Sequence, residues 1–147
     1  MLFRSAEYPF HHLDPAFGFD ERYRWWTQKL RSQIEEFGRQ HVARSILSLE
    51  YVAYASRKPG IDERLRLPSQ EYAFHLVRLA VRRRAVVVLL RAKRLWLAAL
   101  PDLQAYEHLH ELHGPQNTAL TRLNCPHGFE AIRRALRGEQ PPRARAA

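Results

Sequence analysis

Two cations, Arg91 and Lys93, come directly after a continuous apolar hexamer, Ala85 to Leu90. A short Val-rich run of this kind is typical of a central strand covered on both faces, and a helix is expected to begin just after it. Cations beside the first N–H groups of a helix, at the carboxyl edge of a sheet, are suited to phosphate. The pattern therefore predicts that Arg91 and Lys93 bind phosphate, the alternative being a solvated basic loop.

A second group of chemically capable residues consists of zinc-competent side chains, namely His108, His110, His113, Cys125 and His127. Their spacing is unfavourable for a metal. On a strand His108 and His110 would share one face while His113 takes the other, and Cys-Pro-His is not a usual zinc knuckle. We expect no metal and no other cofactor, with a metal-binding protein kept as a third interpretation.

The third chemically capable residue is Glu50, which lies inside the apolar run SILSLEYVAY. That run predicts a buried strand, where an unpaired carboxylate would be costly. Two kinds of partner could satisfy the Glu50 carboxylate. A carboxylate accepts hydrogen bonds from the amino group of a cytosine-like or adenine-like base, and it equally forms an ion pair with an arginine.

These residues must be positioned by an alternation of helices and strands. In the first helix the apolar residues recur at three- and four-residue spacing, and Gly38 ends it. Ser69 is expected to cap the second helix. The predicted order is helix 20–37, strand 45–54, helix 70–83, strand 85–90, helix 92–100, strand 107–113 and helix 129–136.

That order predicts a small three-layer α/β fold with a mainly parallel sheet of three or four strands flanked by helices. The 147 residues fit one domain over residues 1–137, with an irregular arm over 1–19 and a disordered basic tail over 138–147. The arm is expected to pack through Phe10, Phe17 and Phe19. The single Cys excludes a disulfide framework and fits a reducing cytoplasm. No apolar stretch reaches the ~20 residues of a membrane span, and no secretory signal is evident.

The charge balance favours an anionic partner. The chain has 24 Lys and Arg residues against 15 Asp and Glu, a formal net charge of +9. Arginine forms forked contacts with phosphate, so nucleic acid is the expected partner, although an arginine-rich composition has the same effect without any ligand. A Gly-rich nucleotide loop and a Gly-x-Ser-x-Gly elbow are both absent from the sequence, which argues against nucleotide hydrolysis and serine-hydrolase chemistry.

Three segments, read in order, are ILSLEYVAYASRKPG, AVVVLLRAKRLW and HLHELHGPQNTALTRLNCPHGFEAIRRAL. Together they resemble the C-terminal two-thirds of the uracil-DNA glycosylase superfamily, over residues 17 to 136. The likeness lies in order and spacing. Glu50 stands where the superfamily has a base-reading Asn, and His113-Gly114-Pro115 stands where its His-Pro-Ser loop begins.

The resemblance implies a role for each residue that it places at the site. Glycosylases extrude a nucleotide and cleave its N-glycosidic bond, so a donor must meet the departing base. His113 is the candidate catalytic residue that stabilises this anion, while Glu50, Phe17, Gln116 and Asn117 are candidates for base recognition.

The same resemblance has clear departures. In the superfamily a Gly-rich turn with Asp or another polar residue positions the attacking water, and no counterpart of this turn is found here. Asp14-Pro15 lacks a preceding strand and is expected to be an ordinary turn. The sequence thus predicts a DNA-binding domain that resembles a uracil-DNA glycosylase, either excising a modified or amino-bearing base or truncated and inactive. The alternative is a non-enzymatic module that binds nucleic acid or protein.

Overall fold

A computed structural model describes residues 6–52, 66–114 and 116–141 of the chain. The described residues form six α-helices and two β-strands. In chain order they are α1 (Glu21–Lys29), α2 (Arg31–Phe37), α3 (Arg39–Ser45), α4 (Pro68–Arg82), β1 (Val87–Leu89), α5 (Lys93–Ala99), β2 (Leu109–Glu111) and α6 (Pro126–Leu136).

The two strands form a parallel sheet at the centre of the fold. Val87 lies opposite Leu109, and Leu89 lies opposite Glu111. The connection between the strands contains α5 and the 3-10 turn Pro101–Ala105, as a parallel pair requires. The mixed α/β character is as expected, but the sheet in the described residues has two strands rather than three or four.

A helical layer covers each face of this sheet, because successive strand side chains point to opposite sides. Val86, Val88 and Leu90 pack against a core built mainly from α1, α3 and α6. Val87 and Leu89 pack against a second core built from α4, α5 and the turn after α5. All strand residues of β1 are only half-buried. Both strands are edge strands in the described residues, so neither is enclosed by neighbours on both sides.

The prediction of a strand over 45–54 is wrong over the residues that the structure describes. Residues 46–52 form neither helix nor strand, and Ala53 and Tyr54 lie outside the described residues. The apolar side chains of this segment are used in another way. Ile46 packs against the first core, whereas Leu49 and Tyr51 pack against the second. Side chains that are buried by packing alone produce the same apolar sequence pattern as a buried strand, although the backbone of this segment pairs with no strand.

The single predicted helix over 20–37 is divided into α1 and α2 at Leu30. This residue is fully buried and has φ −104° and ψ 18°, outside the helical region. The hydrogen bonds from Leu30 N to Trp26 O and from Ile34 N to Leu30 O continue across the junction. The apolar spacing therefore persists through the kink, and neither Pro nor Gly marks it in the sequence. Gly38 ends α2 at φ 83°, as predicted.

Two other helix starts differ from their predictions. Helix α4 begins at Pro68, and the side chain of Gln70 accepts a hydrogen bond from Leu67 N at 2.8 Å, so Ser69 is not the cap. Helix α6 begins at Pro126 rather than Phe129. Proline is well suited to the first helical position because it has no N–H that would lack a partner there.

The described part of the N-terminal arm, residues 6–19, contains two 3-10 turns. The Asp14 carboxylate accepts a hydrogen bond from Ala16 N at 2.9 Å, so Asp14-Pro15 is an ordinary turn, as predicted. Phe10 is buried as predicted, whereas Phe19 is 76% exposed and does not anchor the arm. Residues 138–141 follow α6 without regular structure. None of the helices in the described ranges is both long and apolar enough to cross a membrane.

Candidate nucleic-acid interface

The indole of Trp25 on α1 brings two cations together. The guanidinium of Arg91 lies over its ring at 5.6 Å from the centroid, and Lys29 Nζ lies at 5.2 Å. Lys29 reaches the ring because it is four residues further along the same helix. Arg91 reaches it from the loop after β1. We refer to Trp25, Lys29 and Arg91 as the Trp25 cluster.

The core holds this cluster in place. Trp26 is buried, and Trp25 is a half-buried neighbour that packs against the first core and makes an edge contact with Trp26 at 4.9 Å between centroids. A functional role for Trp25 or Lys29 was not predicted, although a Trp–Lys pair four residues apart on an amphipathic helix was a visible signal.

The other predicted phosphate-binding residue, Lys93, has a different partner. Its Nζ lies 2.6 Å from Glu111 Oε2 at the end of β2. Parallel pairing puts Leu89 beside Glu111, so the residues after β1 meet the carboxylate at the end of β2. The charge of Lys93 is partly compensated there, while Arg91 contacts Trp25. The structure therefore gives the two residues separate environments rather than one paired site.

A groove of about 430 Å³ lies on the other side of α1, between α1, α2 and the start of α3. We call it the α1–α3 groove. Arg39 lines it, and its Nη1 donates a hydrogen bond to Thr27 Oγ1 at 2.8 Å while its guanidinium lies over the Tyr23 ring at 4.9 Å. Arg31 also lines it and pairs with Glu35 at 3.0 Å.

The exposed face of α1 connects the Trp25 cluster with this groove. Successive residues of an α-helix are rotated by about 100°, so Arg24 and Gln28 lie between Trp25 on one side and Tyr23 on the other. Arg24 and Gln28 are exposed. The segment 21–45 that forms α1 to α3 carries six basic side chains against three acidic ones. This face is therefore a cationic surface with an aromatic side chain at each border.

The predicted catalytic residue, His113, lies at the exposed start of the loop after β2. Its backbone N donates to Asn124 O at 2.8 Å, and Gly114 N donates to Asn124 Oδ1 at 3.0 Å. The Asn124 amide nitrogen donates in turn to the carbonyl oxygens of Asn117 and Ala119. One buried side chain thus fixes the loop that displays His113.

Of the four predicted base-recognition residues, two lie on the loop that carries His113. Gln116 and Asn117 are exposed on the same loop. Phe17 is half-buried in the N-terminal arm, where it makes an edge contact with the ring of His11. Glu50 is exposed, so the prediction of a buried carboxylate is wrong, because its segment does not enter the sheet. Within the described residues no hydrogen bond or ion pair joins Glu50 or Phe17 to His113.

The other three histidines of the zinc-competent group, His108, His110 and His127, lie on or next to β2 and α6. Burial lowers the pKa of His110, and the neighbouring His108 and His127 lower it further. The Cys125 thiol is buried, which raises its pKa, and its Sγ donates to Glu111 O at 3.3 Å. Among residues 6–52, 66–114 and 116–141, no three His, Cys, Asp or Glu side chains are grouped so that they could hold a metal.

Comparisons with known proteins add no relative to these observations. The chain matches no family model, no curated protein and no solved structure at a significant level. The resemblance to the uracil-DNA glycosylase superfamily therefore stays a prediction.

Proposed function

We propose that this domain binds nucleic acid through the exposed face of α1, with the Trp25 cluster as its central contact. The observation that carries the proposal is that Arg91 and Lys29 approach one half-buried indole from two separate parts of the chain. A phosphate that binds at one of these cations is also attracted by the other cation at the same indole, and neighbouring phosphates of one strand can each be neutralised. The indole restricts both side chains, so less conformational freedom is lost on binding.

The cationic surface around the cluster supports the same function. Arg24 lies on the neighbouring stripe of α1 and forms no ion pair with any described residue. Lys93 is a weaker candidate because Glu111 compensates its charge. We therefore assign phosphate binding to Arg91 and Lys29 first, and to Arg24 second.

The test is binding of a short fluorescein-labelled oligonucleotide, as a single strand and as its duplex, measured by anisotropy. At ~0.1 M salt the Lys29→Ala/Arg91→Ala variant is expected to bind roughly 10- to 100-fold more weakly, since two phosphate contacts are lost. The matched control is Arg78→Ala/Arg82→Ala, which removes two exposed cations from α4. An equal loss in both variants would mean that binding follows net charge alone and would reject the cluster.

Base excision is the second candidate function, and it rests on the loop that Asn124 fixes. A histidine displayed after a parallel strand, on a loop that the buried Asn124 side chain anchors, is well placed to donate to a base taken out of the stack. In this proposal His113 stabilises the departing base, while Glu50 selects an amino-bearing edge. The proposal requires Glu50 to contact the base in the complex, since the two side chains are not joined in the free protein.

An alkali-cleavage assay tests this second candidate. Oligonucleotides with uracil, cytosine, adenine or modified cytosines are incubated with the protein, treated with alkali and resolved by length. His113→Ala is expected to reduce the product roughly 10²- to 10³-fold, as loss of one oxyanion donor does. Glu50→Asn is expected to shift preference toward uracil because an amide also donates. Binding without release of any base would reject excision and leave the nucleic-acid-binding module.

A further inference from the structure

The α1–α3 groove has a different chemistry from the Trp25 cluster. Its walls include the half-buried side chains of Tyr23 and Ile34, while Arg24, Arg31 and Arg39 lie around it. Phosphate binding alone does not require the apolar part of this lining, which Tyr23 and Ile34 form. Its volume of about 430 Å³ falls within the ~300 to 1,000 Å³ that is usual for small-molecule sites.

We propose that the α1–α3 groove holds one unpaired base of a single-stranded nucleic acid, with the adjoining phosphate on its arginines. The inference rests on the proposed nucleic-acid binding and specifies the form of the strand. A duplex keeps its bases stacked inside the helix and offers only phosphates to such a surface. A single strand can place a base against an aromatic ring while the backbone follows a cationic path.

The arginines of the groove retain capacity for a phosphate. Arg39 uses one N–H for Thr27 Oγ1, and a guanidinium has five such donors in all. The Arg31–Glu35 pair leaves Arg31 partly compensated. Three arginines against one glutamate still give the lining a net charge of +2. The Arg39 guanidinium lies over the Tyr23 ring, so the two side chains form one stacked pair, and a base would stack on the outer face of that pair.

The experiment compares a single-stranded oligonucleotide with its own duplex, using the full chain. The wild type is expected to bind the single strand at least tenfold more tightly. Tyr23→Ser is expected to weaken single-strand binding roughly 5- to 100-fold, which is the range for losing one base stack, and to leave duplex binding unchanged. Tyr23→Phe keeps the ring and should restore the preference.

A second pair of variants covers the case in which Tyr23→Ser does not fold. Arg31→Glu changes an exposed side chain of the groove that the proposed function does not use, whereas Arg44→Glu makes the same charge change on α3 at a residue that does not line the groove. Arg31→Glu is expected to weaken single-strand binding roughly fivefold more than Arg44→Glu does.

Three results would overturn the inference. They are equal affinity of the wild type for single strand and duplex, equal losses in Arg31→Glu and Arg44→Glu, and displacement of the oligonucleotide by a poly-glutamate peptide at equal charge concentration. The first two results reject the groove and leave the proposed function to its own test, the Lys29→Ala/Arg91→Ala variant. The last result would indicate a site for acidic peptides and would count against both proposals.

Discussion

Arg91 lies over the indole of Trp25, with its guanidinium carbon 5.6 Å from the ring centroid. The contact joins the loop after β1 to helix α1 and gives an arginine in an exposed loop a fixed neighbour. Cation–π contacts at partly exposed sites contribute roughly 0.5 to 1 kcal/mol, which is enough to bias a side chain but not to hold a fold together. The contact therefore matters more for the position of the cation than for stability.

The loop that carries His113 is expected to depend on Asn124. Asn124→Ala should lower the free energy of unfolding by about 1 to 3 kcal/mol, because Gly114 N and two carbonyl oxygens lose their partner. Urea unfolding measures the loss, and faster hydrogen exchange at Gly114 locates it. The control is Asn117→Ala, which removes one exposed hydrogen bond that Ala119 N donates to Asn117 Oδ1. Equal stability of the two variants would contradict the anchoring role.

The acid stability of the domain is expected to depend on Glu36. Arg133 donates two hydrogen bonds of 2.7 Å to this carboxylate and Arg137 adds a third, which together link α2 to α6. The hydrogen bonds from Arg133 lower the pKa of Glu36 below its ordinary value of 4.5. The stabilisation is therefore complete above that ordinary pKa and is lost as the pH falls through the lowered value in the folded state.

Chemical denaturation at several pH values between about 6 and about 3 checks this dependence. Glu36→Gln should remove part of the acid-induced loss of unfolding free energy. Glu35→Gln changes an exposed carboxylate on the same helix and should leave the profile close to that of the wild type. Identical pH profiles for wild type and Glu36→Gln would show that the link does not contribute.

The contact between α6 and β2 is expected to require glycine at position 128. A Cβ there would lie 2.5 Å from Cys125 Sγ and 2.9 Å from His110 Cβ, so the helix and strand would have to move apart. Gly128→Ala should lower the free energy of unfolding by about 1 to 3 kcal/mol despite the better helix propensity of alanine. Thermal or urea unfolding measures it, with Ala135→Gly at an exposed position of α6 as the control. A Gly128→Ala variant as stable as the wild type would contradict the close packing.

Patterns of periodicity predicted the helices well because an amphipathic helix repeats its apolar residues whatever it packs against. The same patterns failed at 45–54, where Leu49 and Tyr51 are buried against α4 and α5 without strand pairing. They also missed the kink at Leu30, since its hydrogen bonds and apolar spacing continue through the junction. Local sequence does not determine whether an apolar segment pairs as a strand or is buried by side-chain packing alone, nor whether a helix is continuous or interrupted.

The candidate site was predictable only in part for a similar reason. Arg91 could be chosen because it follows a Val-rich strand, but its partner Trp25 is distant in sequence and no local pattern connects them. The same position after the strand predicts Lys93 as a phosphate-binding residue, but the register of β1 with β2 places Lys93 against Glu111. Charge and position along the chain identify candidate phosphate-binding cations, whereas the fold determines which of them have their charge neutralised by a nearby carboxylate.

The salt dependence of nucleic-acid binding tests the account most directly. Each phosphate contact contributes about 0.7 to the slope of log affinity against log salt on a single strand and about 0.9 on a duplex. If Arg91 and Lys29 each neutralise a phosphate, Lys29→Ala/Arg91→Ala should reduce the slope by about 1.4 on the single strand and about 1.8 on the duplex. Unchanged affinity and slope in this variant would contradict the Trp25 cluster as the contact, and no binding by the wild type at any salt would contradict the proposed function.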